Sequence, residues 1–157
     1  MNDRPLFSRF VAGLQAGMAG ALVMLAWLAI TMLWYRNSIW WFPNLMATTF
    51  GGDPALHPGF GKYSPAGIAL HLVQFSVLGG LFAITVPQSF PYLRLLLLGV
   101  LAGLGYYFVM YDFAWKHLNS LIPLYAVDRP TLVGHLLYGL MLARAPRYLK
   151  ASVSESR

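Results

Sequence analysis

From Phe10 to Trp34 the chain runs for 25 residues without one charged side chain. At about 1.5 Å per residue, such a helix crosses a hydrocarbon core of about 30 Å with room for tilt. Arg4 and Arg9 precede this run in the manner of a secretory leader, but a leader's apolar region is roughly 7–15 residues. The run therefore reads as a retained first span. Composition points the same way. Hydrophobic residues make up 58% of the chain and charged residues 10%, with a mean hydropathy of +0.58. Ordinary soluble domains carry about a quarter charged residues. With so little charge the chain cannot cover a water-facing surface, so lipid is expected to be its main solvent.

Three more apolar segments follow. The second expected span covers residues 65–86, with Ser64 as N-cap and Pro65 in the first helical position. Pro87 and Pro91 bracket a tight connection, and a third span is expected over 93–115. The fourth, over 130–145, is short: 13 residues separate Pro130 from Arg144, roughly 20 Å of helix. It crosses only if Arg144 and Arg147 snorkel and Tyr148 and Leu149 lie in the interface. The expected fold is an all-α polytopic membrane protein: a four-transmembrane-helix bundle with an aromatic-rich interfacial outer loop, forming a single integral membrane domain over residues 1–157.

The net charge of +6 raises the question of nucleic acid. The basic residues, however, flank apolar runs and form no patch interleaved with aromatics, so that partner is set aside. They bear instead on orientation. Arg4, Arg9, Arg94, Arg144, Arg147, Lys150 and Arg157 fall on one side; Arg36, Lys62, Lys116 and Arg129 fall on the other, with Asp53, Asp112 and Asp128. Both termini are expected in the cytoplasm. The connection from Tyr35 to Tyr63 then lies outside. It contains Trp40-Trp41-Phe42-Pro43, and the second outer connection contains Leu121-Ile122-Pro123-Leu124-Tyr125. Both read as interfacial segments that anchor the bundle, in preference to a lid over a substrate.

The two halves show a weak likeness. Ala26-Trp27 matches Ala114-Trp115, Gly17 and Gly105 each precede the Trp by ten residues, and His71-Leu72 matches His135-Leu136. Small residues recur at spacings of four: Gly13, Gly17 and Ala21, with Ala12, Ala16 and Gly20 beside them, then Gly99 and Gly103. Helices in lipid associate through such stripes because backbones approach closely there. Packing within the bundle is the expected use, and a partner subunit is the alternative for one stripe. Gln15 and Gln74 are expected to hydrogen-bond across helices.

The candidate chemistry rests on two histidines. His71 and His135 fall six and five residues after Pro65 and Pro130, which places both roughly 8–9 Å below the outer end. Span three runs the other way and brings Asp112, Tyr111 and Tyr107 to the same level, with Thr31 of span one close by. Buried ionisable groups in a membrane are functional candidates by default. Two neutral imidazoles suit axial ligation of a b-type haem, ligation of a chlorophyll-type pigment, or hydrogen bonding to a quinone. The structural alternative is that each satisfies a carbonyl, a tyrosine or Asp112 and fixes the packing, and this is preferred. Gly134 beside His135 and Gly67 one turn before His71 offer small residues near each ring, while Lys116 is spaced to pair with Asp112. Without cysteine there is no thiolate metal site, covalent haem or cysteine nucleophile. No metal is assigned. Phosphate loops, paired acids and a Ser-His-Asp grouping are absent, which sets aside hydrolases and ATP-driven machines.

At Asn44-Leu45-Met46-Ala47-Thr48-Thr49-Phe50-Gly51-Gly52 and at His135-Leu136-Leu137-Tyr138-Gly139, the chain resembles small four-span bacterial inner-membrane proteins without an assigned activity. The resemblance implies the topology and a bacterial inner membrane, and gives no catalytic residue. The function expected is therefore a non-catalytic accessory or structural subunit of a bacterial membrane complex, in contact with other membrane subunits or with copies of itself. A cofactor-binding electron-transfer subunit using His71 and His135 is the second class. A small-solute transporter or channel is the third; inverted repeats, broken spans or midplane charge would support it.

Overall fold

The computed structural model describes residues 6–154, with side chains for residues 6–149. All regular structure among them is helical. Helix α1 spans Leu6–Trp34, α2 Trp41–Gly51, α3 Ser64–Thr85 and α4 Tyr92–Phe108. A π-helical segment, Val109–Ala114, continues α4 into α5, Trp115–Leu118. Then come α6, Leu121–Tyr125, α7, Asp128–Leu142, and α8, Ala145–Ser154. Three helical stretches are long and apolar enough to cross a membrane: Leu6–Trp34, Ser64–Thr85 and Tyr92–Leu118. The expected fourth span is different. Its helix, α7, has 15 residues, about 22 Å at 1.5 Å per residue. It ends at Leu142, before Arg144, and the chain restarts as the separate helix α8.

Small residues set the architecture. Gly13 and Gly17 of α1 face Gly79, Gly80 and Ser76 of α3 so closely that a Cβ on Gly17 would sit 3.0 Å from Ser76 Cα and 3.1 Å from Gly79 Cα. Gly99 and Gly103 of α4 meet Gly139 of α7 in the same way. Gly20 accommodates Tyr138 of α7, while Ala16 packs with Ala83 and Ala145. Both small-residue stripes of α1 are thus consumed inside the bundle: one by α3, the other by α7 and α8. Close backbone approach gains dispersion contacts that do not depend on water. The α1–α3, α1–α7 and α4–α7 pairs run antiparallel, since Arg9 reaches Val86, Trp27 reaches Pro130, and Gly99 and Gly103 meet Gly139 and His135 O, while α3 and α7 run parallel where Tyr138 meets Phe75. Helices α3 and α4 stay further apart, and Phe75, Tyr106 and Tyr138 fill the gap; the Tyr106 hydroxyl donates to Leu78 O at 3.1 Å.

The repeat seen in sequence takes another register here. Gly105 has open space around it. By packing, Gly99 against Gly139 is the counterpart of Gly17 against Gly79.

The ends of the helices are fastened by specific groups. Arg9 donates from Nε and Nη2 to Ala83 O and from Nη2 to Ile84 O and Val86 O, at 2.9–3.1 Å. These include the last carbonyls of α3, which lack intrahelical partners and carry the negative end of the helix dipole. Helix α1 closes with Arg36 at φ 55, Asn37 N donating to Met32 O and Arg36 N to Leu33 O, the left-handed ending usually given to glycine. Gly52, at φ 59 and ψ −157, ends α2 in a different backbone region, one open essentially only to glycine.

The long connection between α1 and α3 packs over one end of the bundle. Every residue from Phe42 to Thr48 is buried, and α2 sits against Gly67 of α3 through Pro43 and Ala47. Ser64 does not cap its helix. Its hydroxyl donates to Asn44 Oδ1 at 2.5 Å and accepts from Gly61 N at 2.9 Å, while Asn44 Nδ2 donates to His57 O and Gly59 O. Asn119 Nδ2 bonds the Thr48 and Thr49 hydroxyls, and Trp41 and Tyr125 meet edge to face at 6.4 Å. The α1–α3 connection and the segment around α6 therefore form one cap.

The antiparallel order gathers Arg9, Arg94 and Arg144 at one end and Arg36, Lys62, Lys116 and Arg129 at the other. Arg4, Arg157 and the side chain of Lys150, part of the expected charge bias, lie outside the described residues.

Candidate functional site

Three helices deliver a buried layer of rings. Helix α3 contributes His71 and, one turn on, Phe75. Helix α7 contributes Thr131, His135 and Tyr138, and α4 with its π segment contributes Tyr107 and Tyr111. His71, His135 and Tyr138 are essentially inaccessible. The ring centroids of Phe75 lie 4.7 Å from His71, 5.3 Å from His135 and 4.7 Å from Tyr138. Tyr107 and Tyr111 meet His135 at 5.4 and 5.9 Å and stack on each other at 5.2 Å. Phe42 of α2 closes the side facing the cap, 5.4 Å from His71. These contacts bring His71, His135, Tyr107 and Tyr111 into one cluster through Phe75.

Two other expected members lie elsewhere. Asp112 is exposed and pairs with Lys116 at 3.1 Å, because it follows Tyr111 on the opposite side of the helix. Thr31 donates to Leu28 O of its own helix and lines a crevice between the ends of α1 and α7. Gln15 is exposed without a hydrogen-bond partner among the described residues, and Gln74 Oε1 is buried without one; neither makes the expected bond across helices.

The hydrogen bonds fix how the histidines are used. His71 Nε2 is 3.1 Å from Ala21 O, and His135 Nδ1 is 2.9 Å from Thr131 O. A carbonyl only accepts, so each of these nitrogens carries the proton, and the other nitrogen presents a lone pair. Those lone pairs, on His71 Nδ1 and His135 Nε2, are buried and meet no donor among the described residues. Tyr138 spends its hydroxyl on Phe75 O at 2.7 Å.

The space expected for a tetrapyrrole is filled. Phe75 stands between the imidazoles, Gly67 is covered by the backbone of α2, and Gly134 by Met24 and Trp27. A macrocycle ligated by both histidines requires Phe75 to leave. No group of three or more His, Asp or Glu among the described residues converges as a metal site.

Phe75 and Tyr138 are the central residues that sequence reasoning passed over. Their signal was present: they stand four and three residues after His71 and His135, spacings that share a helix face. The π segment, which carries buried Tyr111 and exposed Asp112, had no such signal; π segments recur at functional sites.

Comparison with family models, curated proteins and solved structures finds no match to this chain.

Proposed function

We propose that this chain is a non-catalytic accessory or structural subunit of a bacterial membrane complex, inserted as a four-helix bundle with both termini cytoplasmic. Helix α7 is then the short fourth span, which α1 and α4 shield on either side. Large apolar side chains on the outer faces, among them Leu22, Ile30, Val73, Leu97 and Leu101, suit lipid or neighbouring helices. One observation carries the subunit reading. Gln15 sits on the exposed side of α1, in line with Met18, Leu22 and Ile30, and has no partner among the described residues. An amide facing hydrocarbon loses its hydrogen bonds to water, whereas a partner helix restores them.

The chain has no cysteine, so Gln15→Cys gives it a single thiol, to be cross-linked in native membranes. The expected result is a cross-linked species of discrete mass from position 15, by disulfide with a second copy or by a thiol-directed photoprobe with another subunit. Position 73, exposed on α3, serves as the control. Absence of any adduct from positions 15 and 22, together with a monomer on a native gel, contradicts the reading.

A second reading, a cofactor-binding electron-transfer subunit, is favoured by the unpartnered lone pairs of His71 and His135 and opposed by Phe75 between them. A Soret or chlorin band in gently extracted protein, lost in His71→Phe or His135→Phe, establishes it. A colourless protein removes it.

A further inference from the structure

At the outer end of the bundle a crevice of about 410 Å³ opens between α1 and α7. Trp27, Ile30, Trp34 and Tyr35 form one wall, Arg129 and Val133 the other. We infer that this crevice binds one acyl chain of an anionic glycerophospholipid, with its phosphate on Arg129. The site rests on the membrane reading above.

The lining is graded along its length. Ile30 and Val133 each lie about one turn deeper into the bundle than Trp34 and Arg129. Trp34 and Tyr35 are exposed aromatics at the end of α1, the residue type that settles at headgroup level. The indole of Trp27 donates to Pro130 O at 2.8 Å, so its polar edge is spent and its apolar face is left to the crevice. Beneath the headgroup level the walls are almost wholly apolar, the Thr31 hydroxyl being spent on Leu28 O.

Charge selects the headgroup. Among the described residues the sole ion pair is Lys116 with Asp112, so Arg129 has no carboxylate partner. Its neighbour Asp128 does not line the crevice. Arg36, the residue after Tyr35, adds positive charge at the same end of α1. A guanidinium binds phosphate through paired N–H donors, and a basic residue at a membrane surface favours an anionic lipid by about fivefold.

Quenching by brominated lipids tests the site. The full chain is reconstituted with phosphatidylcholine or phosphatidylglycerol carrying brominated acyl chains, and the Trp34-dependent signal is taken by difference from Trp34→Phe. The expected result is about fivefold preference for phosphatidylglycerol, abolished in Arg129→Gln, retained in Arg129→Lys, and weaker quenching by both lipids in Val133→Phe, which fills the crevice. Circular dichroism confirms that each variant folds; should Arg129→Gln not fold, Val133→Phe and the lysine variant decide. Equal quenching by the two lipids in the native chain overturns the site while leaving the membrane reading intact. No quenching by either lipid overturns both. Displacement of brominated phosphatidylglycerol by an isoprenoid quinone, unaffected by Arg129→Gln, also overturns it by assigning the crevice to a neutral ligand.

Discussion

Arg9 combines two roles that a charge count treats as one. It stands at the cationic end of the bundle, and its guanidinium also caps α3 by donating to three carbonyls near that helix's C-terminus. Replacing it with methionine keeps the apolar stem and removes the donors. The expected cost is about 1.5 kcal/mol, the low end for charge-assisted bonds because Arg9 is only half-buried, read from the unfolding midpoint in dodecyl sulfate. No change there would show that the cap contributes nothing. The buried histidines invite the opposite expectation. In His135→Phe the ring volume is kept, one unpartnered nitrogen disappears, and the carbonyl it served belongs to its own helix. Stability should stay within about 1 kcal/mol of the parent if the imidazole only packs. A much larger loss would mean that the lone pair holds something the bundle needs.

At the scale of elements, glycine contacts determine which helices touch. Sequence spacing revealed the stripes on α1 and α4, but not that α1 is central and uses both of its own. Their acceptors, Gly79 and Gly80 on α3 and Gly139 on α7, were given no packing role because each belongs to a short apolar motif that many helices share. Gly139→Val should separate α4 from α7, since even a Cβ there would lie 2.9 Å from Val100 Cα, against backbone that cannot yield. A loss of about 1–3 kcal/mol is expected, with faster hydrogen exchange concentrated in α4; a uniform change along the chain would contradict the assigned contact. The outer cap shows where local signals mislead. Ser64 before Pro65 has the pattern of an N-cap, yet its hydroxyl serves Asn44 twenty residues earlier, a tertiary demand that local spacing does not encode. Likewise the 25-residue uncharged run identified α1 without ambiguity, whereas the end of α7 depended on a break at Ala143 and Arg144 that hydropathy does not register.

For the whole molecule, depth could be read from the distance between each histidine and the proline that opens its helix, and so the layer of His71, His135, Tyr107 and Tyr111 was legible. Rotation was not. Asp112 shares that level but faces away, because azimuth depends on packing, and Thr31 misses the level altogether: His71 meets α1 at Ala21, ten residues or about 15 Å before Thr31, which lies at the bundle end. The central claim is that this bundle crosses a bilayer four times, with α7 as its short last span. Single cysteines at Asp53 in the outer cap and Ser89 in the α3–α4 connection place one thiol at each end of a chain that has none of its own. Treated with an impermeant maleimide in intact spheroplasts, position 53 should label and position 89 should label only after permeabilisation. Equal labelling of both positions in intact cells, or release of the protein by alkaline carbonate, would contradict the account.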